Sequence, residues 1–105
     1  MNTITKQQEA QLSQLVEHVS SAMDEVDAAL STTLMSDAKS AVYALWAAVK
    51  DDKAMPEPIQ QELFARLDAA WLAIVGSGTT HERSKRSYEK LAHVRRYLWN
   101  ILAKN

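Results

Sequence analysis

The chain of 105 residues contains no cysteine, two glycines and two prolines. Without thiols there is no disulfide framework, no zinc–thiolate site and no thiolate nucleophile. That absence fits a reducing compartment, and a cytoplasmic protein is expected. Glycine and proline both fall well below their usual shares of ~7% and ~5%. No window approaches ~18 consecutive apolar residues, which excludes a membrane span, and the polar first residues lack the apolar core of a signal peptide. There is no Gly-rich phosphate loop, no nucleophile elbow and no His-x-x-x-His or Glu-x-x-His spacing. No cofactor and no metal are expected. Paired carboxylates such as Glu17 and Asp24 lie on polar faces with nothing to raise a pKa, so they offer no acid–base pair.

What remains is a helix-forming composition with regular apolar spacing. Leu12, Val16, Val19, Met23, Val26 and Leu30 recur at steps of four and three, a heptad seam on a helix of about residues 5–31. The seam loses register at Ser31-Thr32-Thr33, where hydroxyl side chains compete for backbone hydrogen bonds. Ser36-Asp37 then supplies a start signal for a second helix, about 37–53. A single bent helix over 5–53 is the alternative. Met55-Pro56-Glu57-Pro58 is a clear stop, and Pro58 suits the first turn of a third helix, about 57–75. Gly76-Ser77-Gly78 ends that helix. Thr79 and Glu82 stand at capping-box spacing before a fourth, about 80–103, whose inward stripe reads Tyr88, Leu91, Val94, Leu98, Ile101 and Leu102. Short connections favour antiparallel neighbours. The expectation is an all-α, up-and-down bundle of four helices in a single domain over 1–105, with a long first helix. A first helix of about 40 Å would outrun partners of about 27 Å. Its surplus seam would then be covered by a second copy, so a homodimer is expected.

Charge is segregated along the chain. Residues 1–78 carry five Lys/Arg against eleven Asp/Glu, whereas residues 79–105 carry seven Lys/Arg against two Glu. The final helix is therefore basic against an acidic body. On a helical wheel Lys85, Arg86, Lys90 and Arg96 fall on its outward half with Tyr97 among them. Such a stripe can bind phosphates, with the tyrosine free to stack on a base, and the alternative is a solvated face that complements the acidic helices. Arg95 departs from the pattern by falling inside the apolar stripe. It is either a residue paired within the fold or part of a surface for another chain.

Trp46, Trp71 and Trp99, one on each of the last three helices, sit at the edge of their apolar stripes. Edge-placed indoles either fill corners between helices or anchor a partner. Tyr43 and Leu72 point off their stripes and add apolar surface. Trp46, Trp71, Trp99 and Arg95 are the candidate partner-binding residues.

Arg86 and His93 are separated by six residues on one helix face. This Arg-x6-His spacing on a late helix of an all-α bundle resembles the HEPN ribonuclease family, although the residue after the arginine, often an amide there, is Ser87 here. The resemblance implies RNA cleavage at a dimer interface, with Arg86 stabilising phosphate charge and His93 acting as acid or base. Against these alternatives, the reading carried forward is a small non-enzymatic regulator, inhibitor or adaptor that offers helical surface to a protein partner. A nucleic-acid binder using helix four and a small ribonuclease are its rivals.

Overall fold

The computed structural model describes residues 4–29 and 32–104. Four helices follow in order: α1 (Lys6–Ala28), α2 (Thr32–Lys50), α3 (Glu57–Val75) and α4 (Thr80–Lys104). Each packs on its neighbours in sequence, and α4 returns to close the ring against α1. The result is an all-α four-helix bundle of 43 × 20 × 17 Å. No described helix is long and apolar enough to cross a membrane.

The core is the helical seam made real. Leu12, Val19, Met23 and Val26 of α1 meet Val42 and Val49 of α2, Leu63, Leu67 and Ile74 of α3, and Leu91, Val94 and Leu98 of α4 in one buried cluster. Two expectations change at this level. The first helix has 23 residues, longer than α2 and α3 at 19 each but shorter than α4 at 25. Because α4 runs beside α1, the described seam is covered within one chain, and a surplus seam no longer argues for a second copy. Leu30, the last seam residue, lies outside the described residues.

The break between α1 and α2 also comes earlier than Ser36-Asp37. Ala29 forms the cap of α1, its N–H donating to the Val26 carbonyl. Ser36 and Asp37 sit inside α2 instead of starting it, because beginning at Thr32 brings Met35 into the core beside Ala38. Burial of Met35 outweighs the modest preference of Ser and Asp for a cap.

Polar side chains close both ends. At one end, Thr5 and Gln8 form a reciprocal capping box, with Gln8 N donating to Thr5 Oγ1 at 3.1 Å and Thr5 N to Gln8 Oε1 at 2.9 Å. Gln8 and Gln11 then reach Ala54 and Asp52, tying the start of α1 to the α2–α3 connection. Gln60 donates to the carbonyls of Val49 and Lys50 where α2 ends, the first of which also accepts from Asp52 N. At the other end, Thr79 and Glu82 form the expected capping box. Within α4, Ser84 and Ser87 are buried where larger residues would hold the helices apart. Their hydroxyls donate to Ala29 O at 3.1 Å and Ala70 O at 2.9 Å. Tyr88, expected inward, stands at the margin with more than a third of its surface exposed, and Ser87 takes the inward place.

Candidate interaction surface

The groove between α2 and α3 gathers the chain's aromatics. Trp46 and Tyr43 lie one helical turn apart on α2, and Phe64 and Trp71 two turns apart on α3, so antiparallel packing interleaves them. Tyr43 meets Trp46 at 5.6 Å and Trp71 at 5.4 Å between ring centroids, the second pair edge-on, and Trp46 meets Phe64 at 5.7 Å. These separations lie within the range of favourable aromatic contact. Two polar contacts fix the Trp46 indole. Its Nε1 donates to Asp68 Oδ1 at 3.1 Å, and Lys50 Nζ stands 5.0 Å from its ring centroid.

The cluster is only half covered. Trp46, Phe64 and Trp71 are partly buried, while Tyr43 is 50% exposed, Leu72 59% and Val75 39%. Exposed Tyr43 touches Trp71, and exposed Leu72 and Val75 follow Trp71 within a turn on α3, with Lys39, Lys50 and Asp68 nearby on the same two helices. The same face carries two of the three candidate tryptophans.

Trp99 and Arg95 lie elsewhere, on the α1–α4 side of the bundle and so opposite the α2–α3 face. Arg95 donates from Nη1 to Ser20 Oγ of α1 at 3.2 Å, and its guanidinium stacks 4.8 Å from the ring centroid of Trp99. Its Nε is buried without a hydrogen-bond partner, and no carboxylate pairs with it among the described residues. Trp99 remains half exposed.

The basic residues of α4 separate into distinct tasks. Arg83 donates from Nε and Nη2 to Ile74 O at 2.9 and 2.7 Å, and Arg86 from Nη2 to Ser77 O at 2.6 Å. Arg83 thus caps the carbonyl end of α3, where a cation is favoured, and Arg86 ties the α3–α4 turn. Lys85, Lys90 and Arg96 are exposed and make no ion pair among the described residues. Tyr97 is turned toward α3, with the Arg66 guanidinium 5.0 Å from its ring centroid. Burial, and secondarily the Glu62 carboxylate, pushes its phenol above the ordinary value. One face of that ring is therefore occupied, and it does not stand free on the outward stripe.

Arg86 and His93 share a helix side without converging. The Arg86 guanidinium reaches back to the α3–α4 turn, away from His93, which is exposed. Among the described residues no three His, Asp or Glu side chains gather to hold a metal. On the remaining α1–α2 side, Leu15, His18, Ala22, Ala41, Leu45 and Ala48 line an open apolar groove of about 360 Å³.

Sequence reasoning found Trp46, Trp71, Tyr43 and Leu72 singly but not their union, because helical wheels do not fix the rotation of α2 against α3. Asp68 and Lys50, which fix the Trp46 ring, were missed. A signal existed: both lie on the flank of their helix that carries the aromatics. Compared with protein-family models, curated proteins and solved structures, the chain matches none.

Proposed function

We propose that the protein is a small non-enzymatic interaction module that binds a protein partner through the α2–α3 face. The observation that carries this reading is the half-exposed cluster of Tyr43, Trp46, Phe64 and Trp71 beside exposed Leu72 and Val75. Interface centres are enriched in such aromatics, whose large area is held by few rotatable bonds. A contiguous apolar patch with a polar rim is the surface a helix or an apolar strip of a partner would cover. Asp68 and Lys50 limit the motion of the Trp46 indole, which reduces the entropy lost on binding.

A photo-cross-linking residue placed at position 72 in the native host tests this. The expected result is one protein adduct, resistant to nuclease and lost on Tyr43→Glu with helix content unchanged. Adducts obtained from position 90 and not from 72 would reject the reading.

The second reading, a polyanion bound by Lys85, Lys90 and Arg96, is favoured by the exposure of those three cations without carboxylate partners. It requires affinity that falls with salt at a slope near −0.9 per phosphate contact. Binding through the aromatic face varies far less with salt, since apolar contacts are weakly screened.

A further inference from the structure

The α1–α4 face, opposite the aromatic one, is divided by charge along its length. Between Lys6 and Ala28, α1 carries five carboxylates against one lysine, while α4 carries seven Lys/Arg against two Glu. On α1, Glu17, Asp24 and Asp27 are exposed on the side turned away from the core. On α4, Lys85 and Arg96 are exposed beside Tyr88 and Trp99, while Arg95 is partly buried against Ser20 and Trp99. None of these six charges forms an ion pair among the described residues. Opposite rows therefore lie side by side within one chain without neutralising each other.

We propose that this face binds the same face of a second copy. A two-fold axis running along the bundle would lay α1 of each copy over α4 of the other and preserve the level of every residue. The levels are set by two contacts within the chain: Ser84 bonds Ala29, and Arg95 bonds Ser20. In that antiparallel register Glu17 stands within about a turn of Arg96, and Asp27 within about a turn of Lys85. Pairing by the two-fold brings Glu17 against Arg96 of the second copy, and Asp27 against its Lys85, twice each. The guanidinium of Arg95, held at the level of Ser20, falls between the levels of Glu17 and Asp24 of the second copy and gains the carboxylate it lacks. Tyr88 and the exposed half of Trp99 supply the apolar centre. Asp27, His81, Lys85, Tyr88 and Glu89 border a groove of about 350 Å³ on this face. The alternative axis, across the helices, would set acid on acid and base on base. The bundle measures 43 × 20 × 17 Å, so one long side is on the order of the ~800 Å² per partner that stable dimers bury. This surface is independent of the α2–α3 face, and a dimer built on it would carry two copies of that face.

Sedimentation equilibrium of the full chain with its charge variants is the test. Wild type is expected at twice the 11.8 kDa of one chain at micromolar concentration, dissociating as salt rises. Glu17→Arg and Arg96→Glu should each weaken the dimer by about tenfold or more, with helix content unchanged. The two together in one chain should restore it. Asp27→Lys with Lys85→Asp repeats the logic should the first pair disturb folding. Leu72→Glu, on the opposite face, should leave the dimer intact. A monomer at all concentrations, a dimer indifferent to the single reversals, a double variant that stays monomeric, or a dimer broken by Leu72→Glu would each overturn the proposal. So would a wild-type monomer whose mass rises only on adding a short DNA duplex, which would assign the cations to a polyanion.

Discussion

Ser87 has no exposed surface, and its hydroxyl stands 2.9 Å from the Ala70 carbonyl, so at this point α3 and α4 approach as closely as a small side chain permits. Ser87→Val adds bulk where the backbones leave no room and is expected to cost about 1–3 kcal/mol in urea unfolding. Ser87→Ala, which removes only the hydrogen bond, should cost about 1 kcal/mol. A stabilising valine would mean that the two helices are not in close contact there. Glu82 gives a residue-scale prediction in pH. Hydrogen bonding to Thr79, its backbone N–H first and its side chain second, holds the Glu82 carboxyl below its ordinary value, with smaller help from Arg86 and His81. A carboxyl depressed in the folded state contributes stability that is complete above its unfolded pKa and disappears as pH falls through the folded one. Unfolding curves taken from neutral to acid pH should therefore converge for wild type and Glu82→Gln, with wild type the more stable at neutral pH. Curves separated by a constant amount across that range would show that the charge of Glu82 has no part in the cap.

At the scale of the helix, Met35 decides where α2 begins. Its side chain is buried because the helix starts at Thr32, a turn before Ser36-Asp37. Met35→Ala should cost about 2–5 kcal/mol, as for other buried large-to-small changes. A silent substitution would place Met35 in a connecting loop. The same segment shows how far a sequence carries. The bounds of α3 and the start of α4 were legible, because Pro56 and Pro58, Gly76 and Gly78, and the Thr79–Glu82 box act locally. The start of α2 was not, because a buried methionine outweighed a cap, and burial is decided by other helices. Tyr88 and Ser87 exchanged places for a related reason. A wheel ranks side chains by apolarity, whereas the closeness of α4 to α3 favours the smaller one. The basic stripe was legible as composition but not as function, since Arg83 turns to a carbonyl at the end of α3 and Arg86 to the turn that follows it. That arrangement also bears on the ribonuclease alternative, in which Arg86 would have to leave Ser77 to act beside His93.

Over the whole molecule, the ring of four helices places its tryptophans on opposed sides. Trp46 and Trp71 share the α2–α3 face with Tyr43 and Phe64, and Trp99 stacks on Arg95 across the bundle. Each tryptophan was identifiable in the sequence as an edge residue, but their division into two faces depends on packing order and helix rotation. This division makes the three indoles internal reporters. A protein partner on the α2–α3 face would be read from the indole N–H signals of 15N-labelled protein in nuclease-treated extract of the native host. Loss or displacement of the Trp46 and Trp71 signals is expected, with their recovery in Leu72→Glu. Three indole signals unchanged by extract, or perturbation that vanishes with nuclease treatment, would contradict binding of a protein at that face.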